Sequence, residues 1–231
     1  MVSKLFSALF TLFSIVAANA QQLEDILDSH YKAVNQEMWG QFHSTTVEGV
    51  QFIGQEKITF RLYAKKENRA LKGSYNGEPY AEVISKTGNW QQLPWTGDKK
   101  VRNLDLENEL ILSKLFAFGS FIIEDHKLEL RGEVRDGGLD LFKIVENRSI
   151  SEQVEYYIDA EDYFLRKMIV RKVVDDETIP LTVLFDQYRN YGPFPVATSI
   201  VMQSQEGRRE FVFDEFFLGD GIRDQVFARP D

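Results

Sequence analysis

The chain contains no cysteine. That excludes a disulfide framework, and it excludes the lipid-modified bacterial cysteine that follows some leader cleavage sites. Histidine is scarce: His30, His43 and His126 are the only three, and none sits at metal-ligand spacing to another. There is no Gly-x-Ser-x-Gly elbow, no phosphate-cradling glycine loop and no dinucleotide fingerprint. Nothing assembles a nucleophile, a base and an oxyanion donor, so an enzyme is not expected, nor a metal or another cofactor. Basic residues are outnumbered 27 to 36, for a net charge of −9, and the charges are interleaved rather than gathered in tails. This argues against nucleic acid and against an anionic membrane surface as partners. After the first turns of the chain no long apolar run recurs.

What is present begins with a leader pattern. Lys4 supplies a short positive start, and an apolar run follows from Leu5 to Val16. The run is shorter than the roughly 20 residues of a spanning helix. Ala18 and Ala20 then supply the small-residue cleavage spacing. Residues 1–20 are therefore expected to be a signal peptide cut after Ala20, which places the protein in the periplasm. Residues 21–231 are expected to form one domain. A chain of that size can bury about 70% of its unfolded surface, enough for a core without disulfides.

Leu23, Ile26, Leu27, Tyr31 and Val34 recur at three- and four-residue steps and predict an N-terminal helix. Glu24, Asp25 and Asp28 suit the positive end of its dipole. The period then changes to two. Ile58, Phe60 and Leu62 fall on one side of a half-buried strand, and Asn76-Gly77 favours a tight hairpin. Strands are expected over 46–53, 69–75, 80–86 and 90–93. In the middle, Asn103 or Asp105 can cap a helix that Gly119 can end. Leu104, Ile111, Leu115 and Phe118 form one stripe on it, widened by Leu112 and Phe116, so it is buried from more than one side or covers something apolar. Strands return from Leu128, with Leu128, Leu130 and Val134 on one face, and continue to Phe217. Ten or eleven strands with turns at regular spacing make an antiparallel meander. Accumulated twist curls such a sheet into a barrel or half-barrel, with the first helix at one end and the second across the concave side.

Three features invite a functional reading and have ordinary explanations. Asp159, Glu161 and Asp162, and again Asp175, Asp176 and Glu177, are carboxylate clusters explained by turn chemistry. His30 lies on the apolar face of the first helix, as a buried, hydrogen-bonded histidine would. Asn147-Arg148-Ser149 fits a glycosylation acceptor, which matters only in a eukaryotic secretory pathway. The aromatic load, eighteen Phe, nine Tyr and three Trp, is mostly core. Trp90 and Trp95 flank Leu93-Pro94 just ahead of the apolar helix, where a cavity mouth is expected, and Trp90 is a candidate for its lining.

The order of elements resembles the outer-membrane lipoprotein-sorting proteins, the LolA-like carriers that share a half-barrel with LolB and RseB. Thr87-Gly88-Asn89-Trp90-Gln91-Gln92-Leu93-Pro94 resembles the family's "dG..W...P" strand. Tyr157 to Leu165 resembles its "y-x-D-x-x-t-y-l" hairpin, and Tyr188 followed by Gly192-Pro193-Phe194-Pro195 resembles its "y…dG…fP" step. Val226-Phe227-Ala228-Arg229-Pro230 resembles its terminal "…F.-P". The resemblance spans essentially all of residues 21–231.

It implies an α+β, mainly β fold: an antiparallel half-open β-barrel with an N-terminal helix and a lid helix, Leu104–Phe118, on the concave face. It implies a monomeric carrier of lipid-modified proteins, or of another acyl-chain ligand, working with envelope membrane proteins in outer-membrane biogenesis. The apolar groove and lid would be formed by Ile58, Phe60, Leu62, Trp90, Ile111, Leu112, Leu115, Phe116 and Phe118. In the carriers an arginine on an early strand bonds to the lid, for which both Arg61 and Arg69 qualify here. The alternative is an envelope sensor or scaffold that uses the same fold to bind a protein partner.

Overall fold

In a computed structural model, residues 21–39, 41–96, 100–115, 127–205, 207–219 and 221–230 are described. The expected leader, Phe116, Phe118, Gly119 and His126 lie outside them. Residues 21–33 form helix α1, followed by a short α2 (Gln36–Trp39). Ile26 and His30 of α1 and Val34 just past its end are buried at four-residue steps, so the apolar stripe faces inward as its spacing requires.

One antiparallel sheet runs through the rest. Its first half is β1 (Ser44–Ile53), β2 (Glu56–Lys65), β3 (Asn68–Tyr75), β4 (Glu78–Ile84), β5 (Trp90–Gln92) and β6 (Arg102–Asn103). Its second half is β7 (Lys127–Asp136), β8 (Leu139–Ser149), β9 (Glu152–Asp159), β10 (Leu165–Val174), β11 (Glu177–Tyr191), β12 (Phe194–Gln203) and β13 (Arg208–Leu218). Each half is a meander, and β1 pairs with β13 to join them, leaving β6 and β7 as the two edges. The sheet is not closed into a barrel. Among the described residues thirteen strands form, where ten or eleven are expected. The short β5 and β6, three and two residues long, are too brief to show a period in sequence.

This topology explains where the middle helix lies. Helix α3 (Leu106–Lys114) sits in the connection from β6 to β7, from one edge of the sheet to the other. Flat, thirteen strands would place those edges roughly 58 Å apart. The sheet curls, and α3 packs across its concave face against β3, β4 and β11. Asp105 is the N-cap, its side chain accepting from the Asn108 amide, and Asn103 belongs to β6. The described helix therefore begins at Leu106 and ends at Lys114, shorter than the span expected from the apolar stripe.

Local chemistry fixes the turns. Asn76 and Gly77 both have positive φ, 51° and 82°, as the expected tight hairpin between β3 and β4 needs. At the β7 edge a bulge between Leu130 and Gly132 shifts the register. Leu130 pairs with Ile144 of the core, but Val134 pairs with Leu141, one step off the Phe142–Ile144 face. Val134 therefore does not share the face of Leu128 and Leu130. The extra residue at the bulge inverts the alternation that the sequence displays.

Apolar cover lies on both faces of the sheet, extensive on one and local on the other. The concave side carries the main core, from Ile26 and Val47 through Leu62, Leu71 and Leu112 to Phe211 and Phe213. On the convex side the C-terminal segment folds back, with Ile222 and Phe227 over Ala70, Ala81, Val83 and Trp90.

Candidate ligand-binding site

Period two on β2 turns Ile58, Phe60 and Leu62 toward the concave interior, where all three are buried. Phe60 meets Phe211 and Phe213 edge-to-face, with centroids 5.8 and 6.1 Å apart. From above, α3 contributes Leu110, Ile111 and Leu112, with Leu115 at its C-cap. These join the same cluster. The structure thus brings together six expected residues: Ile58, Phe60, Leu62, Ile111, Leu112 and Leu115. Phe116 and Phe118 lie outside the described residues.

Trp90 is a correction. It is buried on the convex side, its ring nitrogen donating to the Phe227 carbonyl at 3.2 Å, so it does not line the concave groove. Its neighbour Gln91 takes the opposite face and reaches α3. Of Trp90 and Trp95, Trp95 is the one on the concave side, packed on Tyr75 and Tyr80 at 5.8 and 5.1 Å. It lines a cleft of about 330 Å³ with Leu93, Ile111 and Arg102, beside the start of α3.

The start of α3 is tied down by a buried polar network. Arg209 on β13 donates to both carboxylate oxygens of Glu82 on β4, at 3.0 and 2.8 Å. It also donates to the Asn108 side-chain carbonyl of α3 at 2.9 Å and to Gln51 of β1 at 2.8 Å. Asn108 passes the network on, its side-chain amide donating to Gln91 and Asp105 at 3.2 and 3.0 Å. Glu82 and Gln51 are 0% exposed and Arg209 is 8% exposed. Burial alone would weaken the guanidinium's hold on its proton. Glu82 and Tyr80 outweigh that, and its pKa stands above the ordinary value. Burial, with Glu82 behind it, pushes the Tyr80 hydroxyl well up, so it stays protonated.

The far end of α3 is held differently. Lys114 is 3.8 Å from Glu152 of β9. Burial, reinforced by Arg148, brings its pKa down to about 8. Alongside, Tyr156 donates to the buried Glu146 at 2.5 Å and Arg148 pairs with Glu146 at 3.0 Å. Between the two ends the attachment is mainly apolar, with Glu109 accepting from the Asn89 side chain at 3.0 Å.

The arginine bound to α3 is therefore on the last strand. Arg61 pairs with Glu48 in an exposed pair, and Arg69 donates to the carbonyls of Lys66 and Asn68. The signal for Arg209 was in the sequence. It stands at period two with Phe211 and Phe213, which places a charge on the apolar face of β13.

The other candidates have structural roles. Nδ1 of His30 lies 2.7 Å from the Tyr163 carbonyl, so that nitrogen carries the proton. Burial pulls the His30 pKa down to about 4. Asp159 and Asp162 accept backbone amides of their own turn, and Arg166 pairs with both. Asp175 and Asp176 adopt the positive φ of the β10–β11 turn. Among the described residues, no group of three or more His, Asp or Glu is placed to hold a metal ion.

No family model and no curated protein matches the chain. Solved structures do. A domain described as an outer-membrane lipoprotein-sorting protein, from Vibrio parahaemolyticus, superposes with a TM-score of 0.57 at 14% identity, covering 85% of this chain and 95% of its own. A LolA superfamily protein from Nitrosomonas europaea gives 0.55 at 15% identity, covering 80% and 89%. At these identities the likeness is one of fold. The chain has the LolA-like half-open barrel, with its sheet, its order of elements and its helix across the concave face.

Proposed function

From that shared fold we propose that the protein is a carrier in the cell envelope that binds the acyl chains of lipid-modified proteins, or of another amphiphile, between the concave sheet and α3. It is a binding protein, not an enzyme. The supporting observation is the way α3 is attached. It rests on the sheet through Leu110, Ile111, Leu112 and Leu115, and the polar contacts of Glu109, Asn108 and Lys114 are made by side chains, so none belongs to the sheet's own ladder.

Magnitudes support an exchange of this kind. Undocking Leu110, Ile111, Leu112 and Leu115 exposes four large side chains, at about 1.5–3 kcal/mol each. An acyl chain gains about 0.8 kcal/mol per buried methylene, so 14 to 16 carbons supply roughly 11–13 kcal/mol. A long chain can thus replace the apolar contacts of α3 on the sheet, and a short one cannot. Affinity should rise steeply with length and become useful above roughly 12 carbons.

The test is uptake of fluorescent fatty acids of graded length, with native mass spectrometry of protein purified from its own envelope. Saturable uptake that strengthens with length, and co-purified lipid, are expected. Purified protein that takes up no chain and carries no lipid would contradict the proposal.

A further inference from the structure

The cleft beside the start of α3 has a divided lining. Leu93, Trp95 and Ile111 make an apolar wall, and Ile53 extends it. Arg102 of β6 and Arg208 of β13 stand at the same opening, both exposed. Among the described residues the Arg102 side chain makes no hydrogen bond or ion pair, its backbone alone pairing with β5. Arg208 pairs only with Glu210 among them, at 2.9 Å in an exposed contact worth little in water. The carboxylates of the same wall are turned to other work. Asp105 accepts from the Asn108 amide and from the side chains of Asn108 and Gln91, and Glu107 is 8% exposed. Arg209 is neutralised by Glu82. In a chain of net charge −9, the outer rim of this opening presents two exposed guanidinium groups, those of Arg102 and Arg208.

We propose that this cleft is the headgroup subsite of the groove, and that its ligand is a lipid bearing an anionic phosphate, held by Arg102 and Arg208 while its chain runs past Trp95 and Ile111 beneath α3. This deepens the acyl-binding reading and rests on it. Guanidinium groups suit the task, since their planar donors match phosphate oxygens and are shed from water more readily than ammonium. A neutral headgroup leaves the two arginines hydrated and gains nothing from them.

The experiment compares two lipids that differ by the phosphate alone, palmitoyl lysophosphatidate and monopalmitoylglycerol, on the full chain. The wild type should bind lysophosphatidate roughly tenfold more tightly, with the advantage shrinking as salt rises. In the Arg102→Gln/Arg208→Gln double variant the advantage should vanish while monopalmitoylglycerol affinity stays unchanged, which also reports that the groove is intact. Inorganic phosphate at matched ionic strength should leave lysophosphatidate binding unaltered, and displacement would overturn a lipid headgroup as the occupant. Equal affinity for the two lipids in the wild type, or a preference that survives in the double variant, would overturn this inference alone. Failure of both lipids to bind would overturn the acyl-binding reading beneath it.

Discussion

Arg209 is where residue chemistry and the proposed function meet. A buried ion pair contributes little net stability, but removing one partner leaves the other charge stranded. Arg209→Leu should lower stability by about 3–5 kcal/mol in urea unfolding, because Glu82 stays buried without its guanidinium. Adding Glu82→Leu should restore most of that loss. The double variant should also take up acyl chains faster than the wild type, since Asn108 has lost its bond to Arg209 on the sheet. Recovery of stability without faster uptake would show that the network does not restrain α3. His30 carries a second prediction. Its folded pKa of about 4 lies below the ordinary 6.5, so the unfolded chain binds more protons between those values. The contribution is whole above pH 6.5 and is lost as pH falls toward 4. Going from pH 7 to 4.5 should cost the wild type about 2–3 kcal/mol more than His30→Gln, measured by denaturation at both pH values.

Legibility at this scale depended on whether a residue's face could be read. Arg209 could have been placed, because β13 alternates over enough residues to show Phe211 and Phe213 pointing inward with it. Trp90 and Gln91 could not. A three-residue strand shows no period, and polarity alone puts the tryptophan inside and the glutamine outside. The fold uses both faces, so Trp90 found its apolar cover beneath Phe227, and Gln91 found hydrogen bonds under α3.

Helix α3 was recognisable as an element because it is apolar on more than one side, and Asn103 and Asp105 bracket its start, with Asp105 the cap that forms. Its exact attachment was not recognisable, since the partners come from β1, β4, β5, β9 and β13, far apart in sequence. Lys114 makes that attachment sensitive to pH. Docking forces a lysine with a pKa near 8 into partial burial, whereas a lifted helix returns it to about 10.5. Between those values the lifted state binds more protons, so docking strengthens as pH rises from 8 to 10.5, by up to about 2–3 kcal/mol. Hydrogen exchange of the α3 amides should therefore slow between pH 7.5 and 10, after correction for the intrinsic rate. Lys114→Met should remove that extra dependence and slow exchange already at pH 7.5. An unchanged pH profile in the variant would contradict the assignment.

For the whole molecule, the hairpin order was legible because each turn announces itself locally, as Asn76-Gly77 does. The β1–β13 pairing that joins the two meanders was not, since it links the first strand to the last with no local signal. That pairing places β6 and β7 at opposite edges and sends α3 across the concave face. The sheet thereby acquires two chemically distinct sides, each with one tryptophan of the β5 region: Trp95 within, Trp90 without. A brominated fatty acid quenches tryptophan only at close range, so it reports which side holds the chain. In Trp39→Phe/Trp90→Phe protein, leaving Trp95, saturating bromopalmitate should quench emission strongly. In Trp39→Phe/Trp95→Phe protein, leaving Trp90, it should leave emission nearly unchanged. Quenching of Trp90 with Trp95 untouched, or of neither, would contradict an acyl chain held between α3 and the sheet.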